Sequence, residues 1–358
     1  MAEEAQVDVA ASQPDVQAPS SASVTALDEL RQRRKDYDKH QKDTQDAALK
    51  GSLSFLADVV TWEEPVQLGG GVGLTYRVYA KTPEVAQAVK ALRGNGSSDE
   101  VTNLGVAGSF MYIHGGGWRV GNLDSEDLTC RRLCYTLNLV VFSINYRKVP
   151  EHPYPTPIED AKAGVLAASY RYASKLPSLP VLICGSSSGG HITCLITQAV
   201  AEGRLEVRID TTVLRGPVTV HPDHVPERFK SQYKSYDEND NVGEYQGMAT
   251  NMRVGVFGMA AIPQELIETG QAFPLWGKFE GHPRTYIEVS EDDVLRDDGR
   301  CYAKALEDAG VEVKLKIRKG DHTWWLKKYD TAEGDAVEQD FVREVGLLLS
   351  SKLEELHI

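Results

Sequence analysis

The chain has 358 residues, of which 41% are hydrophobic, so it can form one large α/β domain or two ordinary ones. Its formal net charge of −13 disfavours a nucleic-acid partner, because the phosphates would be repelled. No apolar run approaches the roughly 18–20 residues that a membrane span requires, and the first residues show no secretory signal. We therefore expect a cytoplasmic protein with no membrane span.

The first 24 residues are rich in Ala, Ser, Gln, Pro and acidic residues and predict a disordered tail. A helix is predicted from Thr25, with Thr25 as its cap and Asp28 three residues later. The apolar positions in this helix are sparse, so we expect it to lie on a surface.

Two alternating segments, VVTWEEPVQL and GLTYRVYAK, flank Gly69, Gly70, Gly71, Val72 and Gly73 and predict an antiparallel hairpin. The glycines do not complete a GxGxxG pattern, so no nucleotide cofactor is expected. Residues 83–107 predict a short helix followed by a surface loop.

From residue 109 the pattern alternates between short apolar strands and helices, which predicts a mainly parallel sheet covered by helices, the α/β class. The predicted strands are 109–113, 139–146, 180–184, 211–218, 284–289 and 312–318. The predicted helices are 124–137, 158–174, 190–202, 298–309 and 334–354. Residues 222–282 interrupt this alternation and are interpreted as an insertion between two strands.

The chain contains five cysteines. Cys130 and Cys134 are four residues apart, but no second Cys/His pair with zinc-site spacing accompanies them. We therefore expect reduced, mostly buried thiols and no metal. His221 and His224 form an HxxH pattern without an evident third ligand and are interpreted as loop residues.

The segment LICGSSSGGH at 182–191 contains three consecutive serines. A nucleophile at a tight strand-to-helix turn needs glycine two residues before and two residues after it. Only Ser187 meets this requirement, with Gly185 and Gly189; Ser186 and Ser188 do not. An apolar strand precedes the turn and a predicted helix follows it, which favours a nucleophile over a linker.

The segment YIHGGGW at 112–118 follows another predicted strand. Three successive glycines allow backbone N–H groups to approach a small object closely, and for acyl transfer that object is an oxyanion. The amide of Ser188, directly after the nucleophile, is the expected partner of this loop. The alternative is a glycine-rich turn without a ligand.

These motifs resemble those of the hormone-sensitive-lipase-like branch of the α/β-hydrolases, which includes carboxylesterases. INYRKVPEHPYPTPIEDA at 144–161, SEDDVLRDDGRCYAKALEDAGV at 290–311 and KGDHTWW at 319–325 extend the resemblance over roughly residues 50–354. It implies the α/β-hydrolase fold with a helical cap. The cap would comprise 25–56 and 222–282, and the core 57–221 plus 283–358.

The resemblance implies a nucleophile at Ser187, a triad acid at Asp293 and a general base at His322. The predicted strand positions agree, because the carboxyl ends of parallel strands share one edge of the sheet. Glu291 and Asp292 remain the nearest alternatives for the acid. Asp297 or Asp298 is expected to cap the next helix instead.

The resemblance also assigns the oxyanion donors to the amides of Gly116, Gly117 and Ser188, and a loop-shaping role to His114. Trp118 is a candidate substrate-binding residue. Aromatic residues of the insertion either line the pocket or form the core of the cap: Tyr245, Phe257, Phe273 and Trp276. His191, His152 and His282 are expected to pack or lie in loops without a catalytic role.

The chain departs from the branch's usual GDSAG pattern, because Ser186 replaces the aspartate and Ser188 the alanine. Ser186 removes a carboxylate that normally braces neighbouring loops. Val294 replaces the proline of the DPL pattern, and Thr323 follows His322 where glycine is common. These changes affect loop stiffness and pocket lining more than mechanism.

The sequence therefore predicts a serine hydrolase that cleaves carboxylic esters of small to medium, apolar or aromatic substrates, without a cofactor. Thioester hydrolysis, acyl transfer and a dehydratase or cyclase step in specialised metabolism are alternatives on the same machinery. A non-catalytic receptor is disfavoured because His322 is present in its motif. The sequence carries no oligomer signal, although relatives in this branch are often homodimers.

Overall fold

The computed structural model describes residues 21–68, 72–242, 246–326 and 331–349. Eight strands form a single sheet in the order β1-β2-β4-β3-β5-β6-β7-β8. Their bounds are Val60–Val66, Leu74–Ala80, Gly108–Ile113, Leu139–Ile144, Val181–Ser186, Thr211–Arg215, Arg284–Ser290 and Val313–Arg318. The pairs β1–β2 and β2–β4 are antiparallel, and every pair from β4 to β8 is parallel. The predicted hairpin and parallel sheet are thus confirmed.

Helices cover both faces of this sheet, because its central strands are apolar on both sides. In β3, Phe110 and Tyr112 point to one face, where they pack with α4 (Asp127–Leu137) and α11 (Ala332–Leu349). Met111 and Ile113 point to the other face, towards α5 (Thr156–Arg171) and α6 (Ser188–Ala201). The site elements therefore rest on a core buried from both sides.

The first helix, α1, spans Ser21–Lys50 and begins four residues before the predicted start. Thr25 therefore lies within the helix and does not cap it, and the helix includes residues 21–24. Residues 1–20 lie outside the described residues. Most side chains of α1 that the structure describes are exposed or half-buried, as predicted, although Gln45 and Ala48 are buried.

Two further helices, α2 (Pro83–Ala91) and α3 (Ser98–Asn103), precede β3. The later predicted helices are present with shifted ends, and α10 spans Arg296–Asp308. Two strands are shorter than predicted: β4 ends at Ile144 and β6 at Arg215. The residues beyond both ends lie in loops at the carboxyl edge of the sheet.

In the described residues of the insertion between β6 and β7, the helices are short. These are α7 (Ser235–Glu238), α8 (Met248–Thr250), the π-helical segment Asn251–Phe257, and α9 (Gly258–Ala260). Short 3₁₀ turns account for most of the remaining regular structure described in the insertion.

Asp297 and Asp298 hold the insertion against α10. The carboxylate of Asp297 accepts hydrogen bonds from the amides of Lys234 and Ser235 at 2.8 and 2.9 Å. Asp298 accepts from the amide of Thr219 at 2.7 Å. The prediction that one of them caps α10 is wrong, because both lie inside its first turn and bind a neighbouring loop.

Candidate active site

Ser187 sits at the turn between β5 and α6, with φ 51° and ψ −119°. This is an unfavourable conformation for a residue with a side chain. Glycine surrounds it for steric reasons, because a Cβ at Gly185 would overlap the backbone of Gly189, and one at Gly189 would overlap the carbonyl of Ile113. The turn therefore requires the predicted glycine spacing and presents Ser187 at the carboxyl edge of the sheet.

His322 and Asp293 converge on this serine from the loops after β8 and β7. Nε2 of His322 lies 3.0 Å from Oγ of Ser187. Nδ1 of His322 lies 2.7 Å from Oδ2 of Asp293. Asp293 is fully buried, and the other two side chains are nearly so. The three predicted triad residues thus form one hydrogen-bonded chain.

The structure separates Asp293 from its alternatives. Its second oxygen, Oδ1, accepts the amide of Leu295 at 2.9 Å, which fixes the carboxylate in its loop. Glu291 is exposed, and its amide donates to the carbonyl of Arg318. Within the described part of the chain, neither the Glu291 nor the Asp292 side chain forms a hydrogen bond to His322. Of the three acids, Asp293 is therefore the one that contacts the imidazole.

The glycine-rich loop after β3 runs beside this chain, and three consecutive residues in it have positive φ: Gly116 (111°), Gly117 (59°) and Trp118 (58°). The amide of Trp118 donates to Oγ of Ser188 at 3.1 Å, which joins the loop to the nucleophile turn. Within the described residues, the amides of Gly116, Gly117 and Ser188 donate no hydrogen bond. The predicted oxyanion donors therefore retain free donor capacity.

Glu126, which the sequence reasoning did not single out, lies buried beneath the loop and the nucleophile turn. It precedes α4, and its Oε1 accepts the amide of Gly115 at 3.1 Å. The hydroxyl of Ser186 donates to the same oxygen. Burial is the largest influence on this carboxyl and raises its pKa. Its contacts link segments far apart in the chain, so local motif spacing carried no signal of its role.

The loop is also held from outside by α1. Nε of Arg34 donates to the carbonyl of Arg119 at 2.7 Å, and Oδ1 of Asp38 accepts the amide of Gly121 at 3.3 Å. Arg34 also forms a salt bridge of 2.9 Å with Glu151 in the segment after β4. The first helix therefore lies over the glycine-rich loop.

Aromatic side chains pack behind the loop. Trp118 is 3% exposed, and its ring lies 5.9 Å from that of Phe257 and 5.0 Å from that of His191. Phe273 is fully buried in the same cluster. Trp276 is half-buried, and its Nε1 donates to the carbonyl of His224 at 2.8 Å. Tyr245 lies outside the described residues. Phe257 and Phe273 thus belong to the core of the insertion.

The other histidines that the structure describes are not brought to the triad. His191 is buried and its Nε2 donates to the carbonyl of Ala272 at 2.6 Å, as its predicted packing role requires. Burial lowers the pKa of His191 to about 4. His224 pairs with Glu268 at 2.9 Å. Among the described residues, no group of three or more His, Cys, Asp or Glu side chains is arranged to hold a metal ion.

A family model described as the alpha/beta hydrolase fold matches residues 110–326. This span contains all three triad candidates and the glycine-rich loop. The chain belongs to this family. The predicted α/β-hydrolase fold and the resemblance to hormone-sensitive-lipase-like carboxylesterases are confirmed.

The curated relatives include esterases from fungi. The chain is 32% identical over 213 residues to the versiconal hemiacetal acetate esterase of Aspergillus parasiticus, covering 59% of this chain and 64% of that protein. It is 31% identical over 312 residues to the enzyme of the same name from Dothistroma septosporum, covering 85% of this chain and 87% of that protein. These relatives support ester hydrolysis as the activity of this chain.

Among solved structures, the crystal structure of vibralactone cyclase superimposes with a TM-score of 0.76. The match covers 95% of this chain and 92% of that chain at 21% sequence identity, a likeness of fold.

In the described part of the chain, no helix has the length and apolarity needed to cross a bilayer.

Proposed function

We propose that this protein is a serine carboxylesterase that hydrolyses small to medium esters through an acyl-enzyme. The observation that carries the proposal is the hydrogen-bonded chain from Ser187 through His322 to Asp293, with separations of 3.0 and 2.7 Å. Both distances lie within the reach that proton transfer requires. The strained turn supports this assignment, because a non-glycine residue at positive φ is typical of a functional position.

In the proposed reaction, Oγ of Ser187 attacks the acyl carbon while Nε2 of His322 takes the hydroxyl proton. Asp293 holds the imidazole with Nδ1–H towards its carboxylate and stabilises the imidazolium that forms. His322 then gives the proton to the departing alkoxide. A water molecule attacks the acyl-enzyme, again losing its proton to His322, and the acid is released as Ser187 is regenerated.

We assign the oxyanion to the amides of Gly116, Gly117 and Ser188. Preorganised donors of this kind act on charge that develops only in the transition state, and each contributes roughly 3 kcal/mol. The positive φ angles of Gly116 and Gly117 support the assignment, because they turn the loop sharply beside the nucleophile.

For the substrate, we propose that α1 and the insertion 222–282 act as the cap, and that Trp118 contributes to the pocket wall. The acetate named in two relatives favours a short acyl group. Trp118, Phe257 and Phe273 are all buried and pack in one aromatic cluster, so we propose that the two phenylalanines support Trp118 from the side of the insertion. We also propose that the enzyme is cytoplasmic. We further propose that it forms the homodimer common in this branch, which size-exclusion chromatography with light scattering tests.

The test is hydrolysis of p-nitrophenyl acetate and butyrate by wild type and Ser187→Ala, with circular dichroism to verify folding. We expect the folded variant to lose activity and labelling by a fluorophosphonate. Ser186→Ala, which leaves the neighbouring hydroxyl, should still be labelled at Ser187. A folded Ser187→Ala variant with full activity would reject the proposal. Thioester substrates test the second acyl-donor class, and added alcohols distinguish water from other acyl acceptors.

A further inference from the structure

The carboxylate of Glu126 receives hydrogen bonds from four different segments of the site. Oε1 accepts the Gly115 amide at 3.1 Å and the Ser186 hydroxyl. Oε2 accepts the Tyr112 hydroxyl and Nε1 of Trp325, the latter at 3.2 Å. Glu126 itself is 3% exposed. One buried group thus joins the glycine-rich loop, the nucleophile turn, strand β3 and the loop that carries His322.

Its position coincides with a departure from the family pattern. Ser186 stands where the branch's usual GDSAG motif has an aspartate, which removes a carboxylate next to the nucleophile. In this chain the Ser186 hydroxyl donates to Glu126, so a carboxylate still contacts this position but comes from the residue that precedes α4.

We propose that Glu126 is a positioning residue that sets the glycine-rich loop and the His322 loop relative to Ser187. It deepens the proposed esterase function and rests on it. Among the residues that the structure describes, Glu126 forms no hydrogen bond to Ser187 or His322, so it acts through Gly115, Ser186 and Trp325. Trp325 follows His322 by three residues, and their rings lie 6.1 Å apart.

The pattern of donors requires a carboxylate. The Gly115 amide and the Trp325 indole can only donate, and they approach different oxygens. A glutamine side chain has one accepting oxygen and one donating nitrogen. In either orientation, Glu126→Gln therefore places its NH₂ group against one of these two N–H donors. The hydroxyls of Ser186 and Tyr112 can rotate to accept, but the amide and the indole cannot.

The experiment compares Glu126→Gln with Glu64→Gln. Glu64 is a matched control, because it is 2% exposed and accepts bonds from a Trp indole at 2.7 Å and a Tyr hydroxyl at 2.9 Å. It lies on β1, away from the triad loops. We expect Glu126→Gln to lower kcat for p-nitrophenyl butyrate by about 10–100-fold with KM changed by less than about threefold, somewhat less than the loss of an oxyanion donor. Glu64→Gln should lower stability without this loss in kcat.

A second variant moves the carboxylate back to the family position. In Glu126→Gln/Ser186→Asp, the new aspartate can accept from the glutamine NH₂ group. It can also accept from the groups that donate to Glu126 in the wild type. We expect this double variant to recover at least about tenfold of the kcat lost in Glu126→Gln. Ser186→Asp alone should be impaired, since two carboxylates then face each other.

The outcomes separate the inference from the function on which it rests. If folded Glu126→Gln keeps wild-type kcat, or if its kcat falls no more than that of Glu64→Gln at equal stability, Glu126 is only structural and the inference is overturned. If Glu126→Gln does not fold, failure of the folded double variant to exceed Ser186→Asp in kcat overturns it. If wild type neither hydrolyses esters nor reacts with a fluorophosphonate, the proposed function fails first.

Discussion

The buried amine of Lys148 donates a hydrogen bond to Nε2 of His114, with the two nitrogens 3.1 Å apart. Nδ1 of His114 lies 2.7 Å from the carbonyl of Gly115, so this nitrogen carries the proton and Nε2 accepts. Burial holds the pKa of both side chains well below their ordinary values. His114 is therefore held neutral in one tautomer at the start of the glycine-rich loop, and the loop-shaping role proposed for it has a structural basis.

Lys148→Met should destabilise the protein, because Nζ also donates to Oδ1 of Asn145 and the carbonyl of Tyr146. Buried acceptors without a donor cost about 1–3 kcal/mol. Because the folded pKa of Lys148 is lowered, the unfolded chain holds the proton more tightly, and wild type gains stability as pH rises towards 10.5. Urea unfolding at several pH values measures both effects. Lys304→Met, at an exposed lysine of α10, is the control and should show neither.

His191→Gln should flatten the acid side of the stability curve. The folded pKa of His191 is about 4 against an ordinary value of 6.5. The unfolded chain therefore binds the proton first, and stability is lost as pH falls from 6.5 to 4. The loss amounts to at most about 3 kcal/mol. The glutamine amide can still donate to the Ala272 carbonyl. The measurement is the free energy of unfolding as a function of pH. If this free energy falls equally in both proteins between pH 7 and 4, the assignment is contradicted.

Gly116→Ala should be far more damaging than Gly117→Ala. A Cβ at Gly116 would overlap the carbonyl of Val120, whereas one at Gly117 would meet Val256 at 3.5 Å and Arg119 at 3.6 Å, both ordinary contacts. At Gly117 the remaining cost is the left-handed backbone, about 1–2 kcal/mol. We expect kcat to fall by at least about 100-fold in Gly116→Ala, as for loss of an oxyanion donor. Equal kcat in the two variants would argue against the loop geometry.

Asp293→Asn should reduce kcat by about 10³–10⁴-fold, because the amide cannot accept from both the His322 imidazole and the Leu295 amide. Asp292→Asn is the matched control at the neighbouring acid and should keep at least half of the wild-type kcat. Initial rates with p-nitrophenyl butyrate compare the two. The reverse ranking would return the acid role to Asp292.

The parts of the site that sequence could predict are those governed by local geometry. The glycine spacing distinguishes Ser187 from Ser186 and Ser188, because the steric demand of the turn lies within four residues. Strand order along the chain places Asp293 and His322 at one edge. Residues such as Glu126 and Lys148 act through contacts 60 and 34 positions away in sequence, and no local pattern encodes them.

The errors have the same origin. Asp297 and Asp298 fit the sequence preference of a helix start, but they accept backbone amides from distant residues, Lys234 in the insertion and Thr219 before it. A single-segment analysis cannot see these partners. Where tertiary hydrogen-bond partners compete with a local sequence preference, the tertiary partners determine the role of the side chain.

All five cysteines are free and buried, and burial raises the pKa of every one of their thiols, for example to about 12 at Cys134 and Cys301. Thiolates are the reactive form of cysteine, so alkylating reagents should modify the native protein slowly. Mass spectrometry after treatment with an electrophilic affinity probe should therefore show the adduct on the Ser187 hydroxyl without cysteine adducts. The folded enzyme should also tolerate air and iodoacetamide during purification.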